Sequence, residues 1–175
     1  MDSDDALIVR RVCAGDREAF ALLVDRHHAR CLRVATHLLG DQDEAEDAVQ
    51  DAFVRAYRAL GAYREQDRFG AWLTRIVVNQ CRTANAKSRR YARLDEAGDP
   101  EARDALGAID RQREVAQALA QLGADQREAV VLRFADQLSY DEMAAITGVG
   151  VSALKMRVQR ACTRLRALLS DHSHV

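Results

Sequence analysis

The chain has one proline in 175 residues, Pro100, and only 5% aromatics. Runs of alternating branched residues, the signature of strands, are nearly absent. With many Ala, Leu and Arg, that leaves a helical architecture as the expectation. Its four cysteines (Cys13, Cys31, Cys81 and Cys162) are widely spaced and form no C-x-x-C. They read as reduced thiols of a cytoplasmic protein without a signal peptide, not as a disulfide framework. No apolar run approaches the ~20 residues that span a bilayer, so a membrane-inserted protein is not expected. No nucleophile–base pair, phosphate loop or metal spacing is evident either, so neither an enzyme nor a cofactor is expected.

Net charge is also lacking: the formal sum is −1. The sum hides segmentation. Arg75 to Arg93 carries six basic residues and no acid, and Met143 to Ser170 carries five and no acid. Asp41 to Asp51 carries six acids and no base. Such segmentation suggests different partners for different parts of the chain.

Helical periodicity runs from Asp5 to about Arg93. Leu7, Ile8 and Val12 form a first stripe. Asp16 starts a second helix carrying Phe20, Leu23, Val24, His27, Cys31, Val34 and Leu38, and Gly40 stops it. A third helix starts at Asp41 or Asp43 and ends at Gly61. A fourth starts near Phe69. Leu94 to Gln112 is acidic, holds Gly98, Pro100 and Gly107, and reads as a flexible linker. Periodicity then resumes through Val115, Leu119, Leu122, Ala129, Val130, Leu132 and Phe134. The expected fold is all-α, with two small helical domains: 1–93 and 113–175, joined by a linker at 94–112.

The stretch A-I-T-G-V-G-V-S-A-L-K-M-R (Ala145 to Arg157) poses a choice. A phosphate loop needs a preceding strand and Lys-Ser/Thr after its last glycine; neither is present. A helix-turn-helix fits better. Ser139 and Glu142 have capping-box spacing, Ala144 suits a close crossing, Gly148 permits a left-handed stop, Val149 plugs the corner and Ser152 caps the second helix. Leu154, Val158, Ala161, Cys162, Leu165, Leu168 and Leu169 then share one face. Lys155, Met156, Gln159, Arg160 and Thr163 share the other, as reading of a major groove requires. A plain αα-hairpin with a solvated face is the alternative. The lack of acids between Glu142 and Asp171 favours DNA, because solvated faces mix signs.

Arg75, Asn79, Arg82 and Asn85 fall on one surface beside a polar loop bounded by Tyr63 and Phe69. That pattern suits a single strand, with charge along the backbone and amides or rings on bases. A merely solvated basic helix end is, taken by itself, the commoner explanation. The acids Asp43, Glu44 and Glu46 complement a helix dipole, which accounts less well for Asp51. His27, His28 and Cys31 could form half a metal site, but packing in a bundle is the simpler reading.

Taken together, two stretches resemble a known family. A-G-D-R-E-A-F-A-L-L-V, L-L-G-D-Q-D-E-A-E-D-A-V-Q-D-A-F-V-R-A-Y and F-G-A-W-L-T-R-I-V-V-N resemble region two of the extracytoplasmic-function (ECF) sigma factors. L-G-A-D-Q-R-E-A-V-V-L-R-F and S-Y-D-E-M-A-A-I-T-G-V-G-V-S-A-L-K-M-R-V-Q-R-A resemble their region four. Gly150 departs from the family, which often has proline there. The resemblance implies a subunit of bacterial RNA polymerase that initiates transcription at specific promoters. Asp47, Gln50 and Asp51 would face the clamp of the core enzyme. Tyr63, Phe69, Arg75, Asn79 and Arg82, with Lys87, Arg89 and Arg90, would handle the melted −10 strand. Ser152, Lys155, Met156, Gln159 and Arg160 would face the duplex −35 element, while region four also touches the polymerase flap. An anti-sigma factor is implied as regulator. The competing reading is a free-standing helix-turn-helix regulator with an N-terminal sensor or dimerisation domain. It leaves the acidic A-E-D-A-V-Q-D-A-F helix without a role.

Overall fold

The computed structural model describes residues 2–64, 68–94 and 110–171. Eight α-helices succeed one another and no strand occurs among these residues: α1 (Asp2–Cys13), α2 (Phe20–Leu39), α3 (Gln42–Ala59), α4 (Phe69–Leu94), α5 (Asp110–Ala120), α6 (Ala124–Val130), α7 (Tyr140–Thr147) and α8 (Val151–Asp171). The linker expected at 94–112 overlaps both flanking helices; its middle lies outside the described residues.

Caps set the first bundle. Asp16 accepts from the Ala19 amide through a short 3-10 turn that leads into α2. Gly40 takes φ 80° and closes α2. Asp41, in extended conformation, then accepts from the Glu44 amide at 2.9 Å and opens α3. A reversal of two residues folds α3 back on α2, and α4 packs on both. Leu23, Val34, Val49, Phe69, Leu73, Val77 and Val78 fill the interior. At roughly 1.5–3 kcal/mol for each large apolar side chain, this burial dominates the unit's stability. The expected α1 stripe shifts: Ala6, Ile8 and Val9 are buried, and Leu7 is exposed. The reason is Asp5, whose buried carboxylate meets His27 Nε2 at 2.7 Å and Arg26 Nη1 at 3.1 Å. That polar anchor rotates α1 and turns Leu7 outward.

In the second unit, Arg127 donates to the carbonyls of Leu119 (2.8 Å) and Ala120 (2.7 Å), which the end of α5 leaves without helical partners. One π-helical turn, Val131–Ala135, follows α6. Its extra residue breaks the 3.6-residue period. Phe134 is thereby exposed, against the stripe read from the sequence, and Asp136 is buried.

The corner at Gly148 forms as expected. Ser139 and Glu142 make a reciprocal capping box, and Gly148 ends α7 at φ 73°. Ser152, however, does not cap α8. The helix starts at Val151, and its first bond runs from the Leu154 amide to the Gly150 carbonyl at 3.0 Å. Gly150 thus takes the cap position, and Ser152 lies exposed in the first turn.

The two units are packed together. Leu132, Leu138, Met143, Ile146, Leu154 and Val158 belong to the same apolar cluster as Leu73 and Val77. Leu119, Leu122, Val130 and Ala161 form a smaller cluster of their own.

Candidate nucleic-acid interface

On α8, the apolar face (Leu154, Val158, Ala161) is buried, while Ser152, Lys155, Met156, Gln159 and Arg160 are all exposed. The helix-turn-helix therefore presents the five expected residues outward on one rigid element. Arg157 leaves the row and pairs with Asp125 at 3.1 Å. Tyr140, at the start of α7, supports the row from beside it. Its ring lies 5.7 Å from Lys155 Nζ and 5.3 Å from Arg133 Cζ. Two cations over one ring limit where the lysine can point.

On α4, Arg75, Asn79, Lys87, Arg89 and Arg90 are exposed. Arg82 Nη1 donates to Asn79 Oδ1 at 3.4 Å, which joins these two in one polar patch. Arg82 also makes a two-point ion pair with Glu128 of α6. Asn85 is half-buried and donates to the Leu38 carbonyl. The aromatics differ from expectation. Phe69 is fully buried, and Tyr63 is half-buried against Trp72, 5.0 Å between ring centres. A helix N-terminus that carries Trp72 and Leu73 inward carries Phe69 inward as well, three and four residues back. These rings hold the start of α4 from inside instead of offering their faces to bases. Gln66 and Asp67, in the polar loop between them, lie outside the described residues.

On α3, Asp47, Gln50 and Asp51 are exposed and lie beside Val54 and Tyr57, two large side chains also open to solvent. Acidic and apolar side chains thus lie together on one exposed face of α3. The three residues of the possible metal half-site part ways. His27 binds Asp5, His28 stacks on Phe53, and Cys31 is buried. Burial pushes the Cys31 and Cys81 thiols up to about 12, so both stay protonated and unreactive at neutral pH.

Sequence reading missed four residues. Glu128 and Asp125 are the acids that neutralise Arg82 and Arg157. Asp136 and Arg30 pair with one another across the two units. Asp136 is the lone acid between Glu128 and Asp141, the one signal that could have drawn notice to it. A cleft of about 820 Å³ between the units is lined by Arg82, Asn85, Arg89, Arg127 and Arg157, among others. No helix among the described residues is long and apolar enough to cross a membrane.

Residues 23–91 match the family model of sigma-70 region 2, and residues 112–165 that of sigma-70 region 4. The chain is 36% identical over 170 residues to the ECF RNA polymerase sigma factor SigM of Mycobacterium tuberculosis, covering 96% of this chain and 86% of that protein. It is 35% identical over 172 residues to the ECF RNA polymerase sigma-E factor of Escherichia coli, covering 90% of each. Among solved structures, CnrH in complex with the cytosolic domain of CnrY aligns with TM-score 0.75 at 32% identity, over 95% of this chain and 97% of that one. RpoE of Bartonella quintana, in complex with the anti-sigma factor NepR, aligns with TM-score 0.73 at 31% identity, over 86% and 96%.

Proposed function

The chain belongs to the sigma-70 family, in its extracytoplasmic-function group, and on that premise we propose a division of labour between its two helical units. It is an RNA polymerase sigma factor that brings the core enzyme to promoter DNA. The unit 1–93 docks on the polymerase clamp and opens the −10 element; the unit 113–175 binds the −35 duplex and the flap. Asp47, Gln50 and Asp51 make the polymerase contact. Arg75, Asn79 and Arg82, continued by Lys87, Arg89 and Arg90, track the −10 strand, with Tyr63 and Phe69 shaping the loop beside them. Ser152, Lys155, Met156, Gln159 and Arg160 meet the −35 groove.

The observation that carries this reading is the outward, acid-free row on α8, on the second helix of a helix-turn-helix. Recognition of duplex DNA asks for such a row on such a helix. A free-standing regulator is the weaker reading, because it gives no work to a region-2 half with an exposed acidic helix. The protein makes and breaks no bond itself; the polymerase does the chemistry. It works in the cytoplasm, where the polymerase is. CnrH and the Bartonella RpoE were each solved with a protein bound, the latter with an anti-sigma factor, which supports an anti-sigma partner here.

Near-neutral net charge fits a subunit that relies on the core enzyme for affinity. Each phosphate neutralised changes log K by roughly 0.9 per decade of salt, and this chain has few cations to spare. The test is run-off transcription with core polymerase, comparing promoter fragments with and without the protein. Transcription independent of the protein, or tight specific binding by the free chain, contradicts it.

A further inference from the structure

We propose that Asp5 of α1 is a positioning residue for promoter opening: through the His27 ring it fixes Phe69, and so the angle at which α4 presents Arg75 and Asn79. The proposal rests on the reading that α4 handles the −10 strand.

Asp5 and His27 are both buried. The Asp5 carboxylate accepts from His27 Nε2 at 2.7 Å and from Arg26 Nη1 at 3.1 Å. Holding α1 in place does not require this chemistry. An apolar pair of like volume often holds two helices as well or better, because taking charged groups out of water is costly. What the bond adds is direction, since it fixes the plane of the imidazole. That ring meets the Phe69 ring, with centroids 5.3 Å apart and planes at 61°. Edge-on packing of this kind depends on how each ring is turned.

Phe69 is the first residue of α4 and is wholly buried. Gly70 follows so close to α2 that a Cβ there would lie 3.6 Å from His27 Cε1 and 3.0 Å from Arg30 Nη1. The start of α4 is therefore seated directly on His27. Phe69 in turn packs on Tyr63 and Trp72, with centroids 6.0 and 5.6 Å away. One imidazole thus links α1 to the aromatic cluster from which α4 departs. The lever is long enough to matter. Asn79 stands ten residues beyond Phe69, about 15 Å along the helix axis, so a change of about 5° at Phe69 moves it by roughly 1.3 Å. Hydrogen-bond lengths vary by only about 0.5 Å, so a turn that small spoils a contact with a base.

The experiment compares wild type, Asp5→Ala and His27→Gln as full chains. Asp5→Ala removes the acceptor and frees the imidazole. His27→Gln keeps a donor for Asp5, and with it the hold on α1, but offers Phe69 no ring. Trp72 is the sole tryptophan, so its emission reads the aromatic cluster directly. The second readout is the rate at which the holoenzyme opens a promoter, on duplex and on a template already unpaired at −10. Both variants are expected to shift Trp72 emission and to open duplex several-fold more slowly, with core binding unchanged and the unpaired template restoring the rate. A folded His27→Gln that opens duplex like wild type shows that Asp5 merely anchors α1, and overturns the proposal. So does unchanged Trp72 emission in folded Asp5→Ala, or a defect that the unpaired template does not relieve. Circular dichroism checks folding; if Asp5→Ala loses helix, His27→Gln, which keeps the anchor, decides. If wild-type holoenzyme opens neither template, the functional reading fails, while Trp72 emission still decides whether Asp5 governs the cluster.

Discussion

Arg82 on α4 and Glu128 on α6, 46 residues apart, meet in a parallel two-point ion pair: Nε and Nη2 lie 2.8 and 2.7 Å from the two carboxylate oxygens. The arginine is 43% exposed and the glutamate 13%, so the pair sits at the rim of the contact between units. Rim pairs of this kind contribute about 0.2–1 kcal/mol. On the proposed reading of α4, their consequence is occupancy of a cation assigned to the −10 strand. Glu128→Gln is expected to raise the affinity of the free protein for a single-stranded −10 oligonucleotide about two- to five-fold at low salt, read by fluorescence anisotropy. An unchanged affinity argues that Arg82 does not meet that strand.

How much of this was legible in the sequence depends on the range of the interaction. Ser139, Glu142 and Gly148 were readable because a cap is a local contract over three or four residues, and each stands as its spacing indicated. The outward row on α8 followed from periodicity alone. Ser152 misled because it stands two residues past Gly150, and either residue can open a helix. Phe69 misled because an aromatic beside a polar loop looks the same whether its ring packs inward or faces solvent. Arg30, Asp136 and Thr74 were invisible for a physical reason: they lie 62 and 106 residues apart, and nothing local marks a buried charge as paired.

The capping box gives a pH signature. Hydrogen bonds from the Ser139 backbone amide and then its hydroxyl hold the Glu142 carboxyl below its usual 4.5. A lowered pKa in the folded state means stability that is present above 4.5 and is lost as pH falls through the folded value. Ser139→Ala should cost about 1 kcal/mol at neutral pH and flatten the decline below pH 4.5 in part, because the backbone amide bond to Glu142, the larger cause, is kept. Thermal unfolding of both proteins at pH 7 and pH 3.5 checks this. An equally steep decline in the variant removes the Ser139 hydroxyl as a cause and leaves the backbone amide bond, which alanine keeps.

Lys155 is placed by Tyr140, and the two should fail together. Lys155→Ala is expected to cost about 1–3 kcal/mol of −35 binding, roughly five- to 150-fold in promoter occupancy by the holoenzyme. Tyr140→Ala should cost part of that, and Tyr140→Phe, which keeps a ring face, nearly none. Footprinting across a set of −35 sequences provides the measurement. Equal losses for the Phe and Ala variants would show that the hydroxyl, not the ring, matters.

Asp51 separates polymerase binding from folding. It is exposed on α3, so Asp51→Lys should shift stability by no more than about 0.5 kcal/mol. Truncating or reversing one member of a charged contact at an interface costs about 2 kcal/mol or more, so on the proposed assignment core polymerase affinity should fall at least ten-fold (about 1.4 kcal/mol). Titration of core enzyme against labelled protein, with a parallel melting curve, distinguishes the two. A drop in melting temperature without loss of core affinity counts against this assignment.

Run-off transcription with purified core polymerase on genomic fragments tests the central claim most directly. The account predicts discrete start sites only when the protein is present, and loss of those products with Lys155→Ala despite retained core binding. Start sites unchanged by adding the protein, or products indifferent to Lys155, Gln159 and Arg160 together, would contradict it.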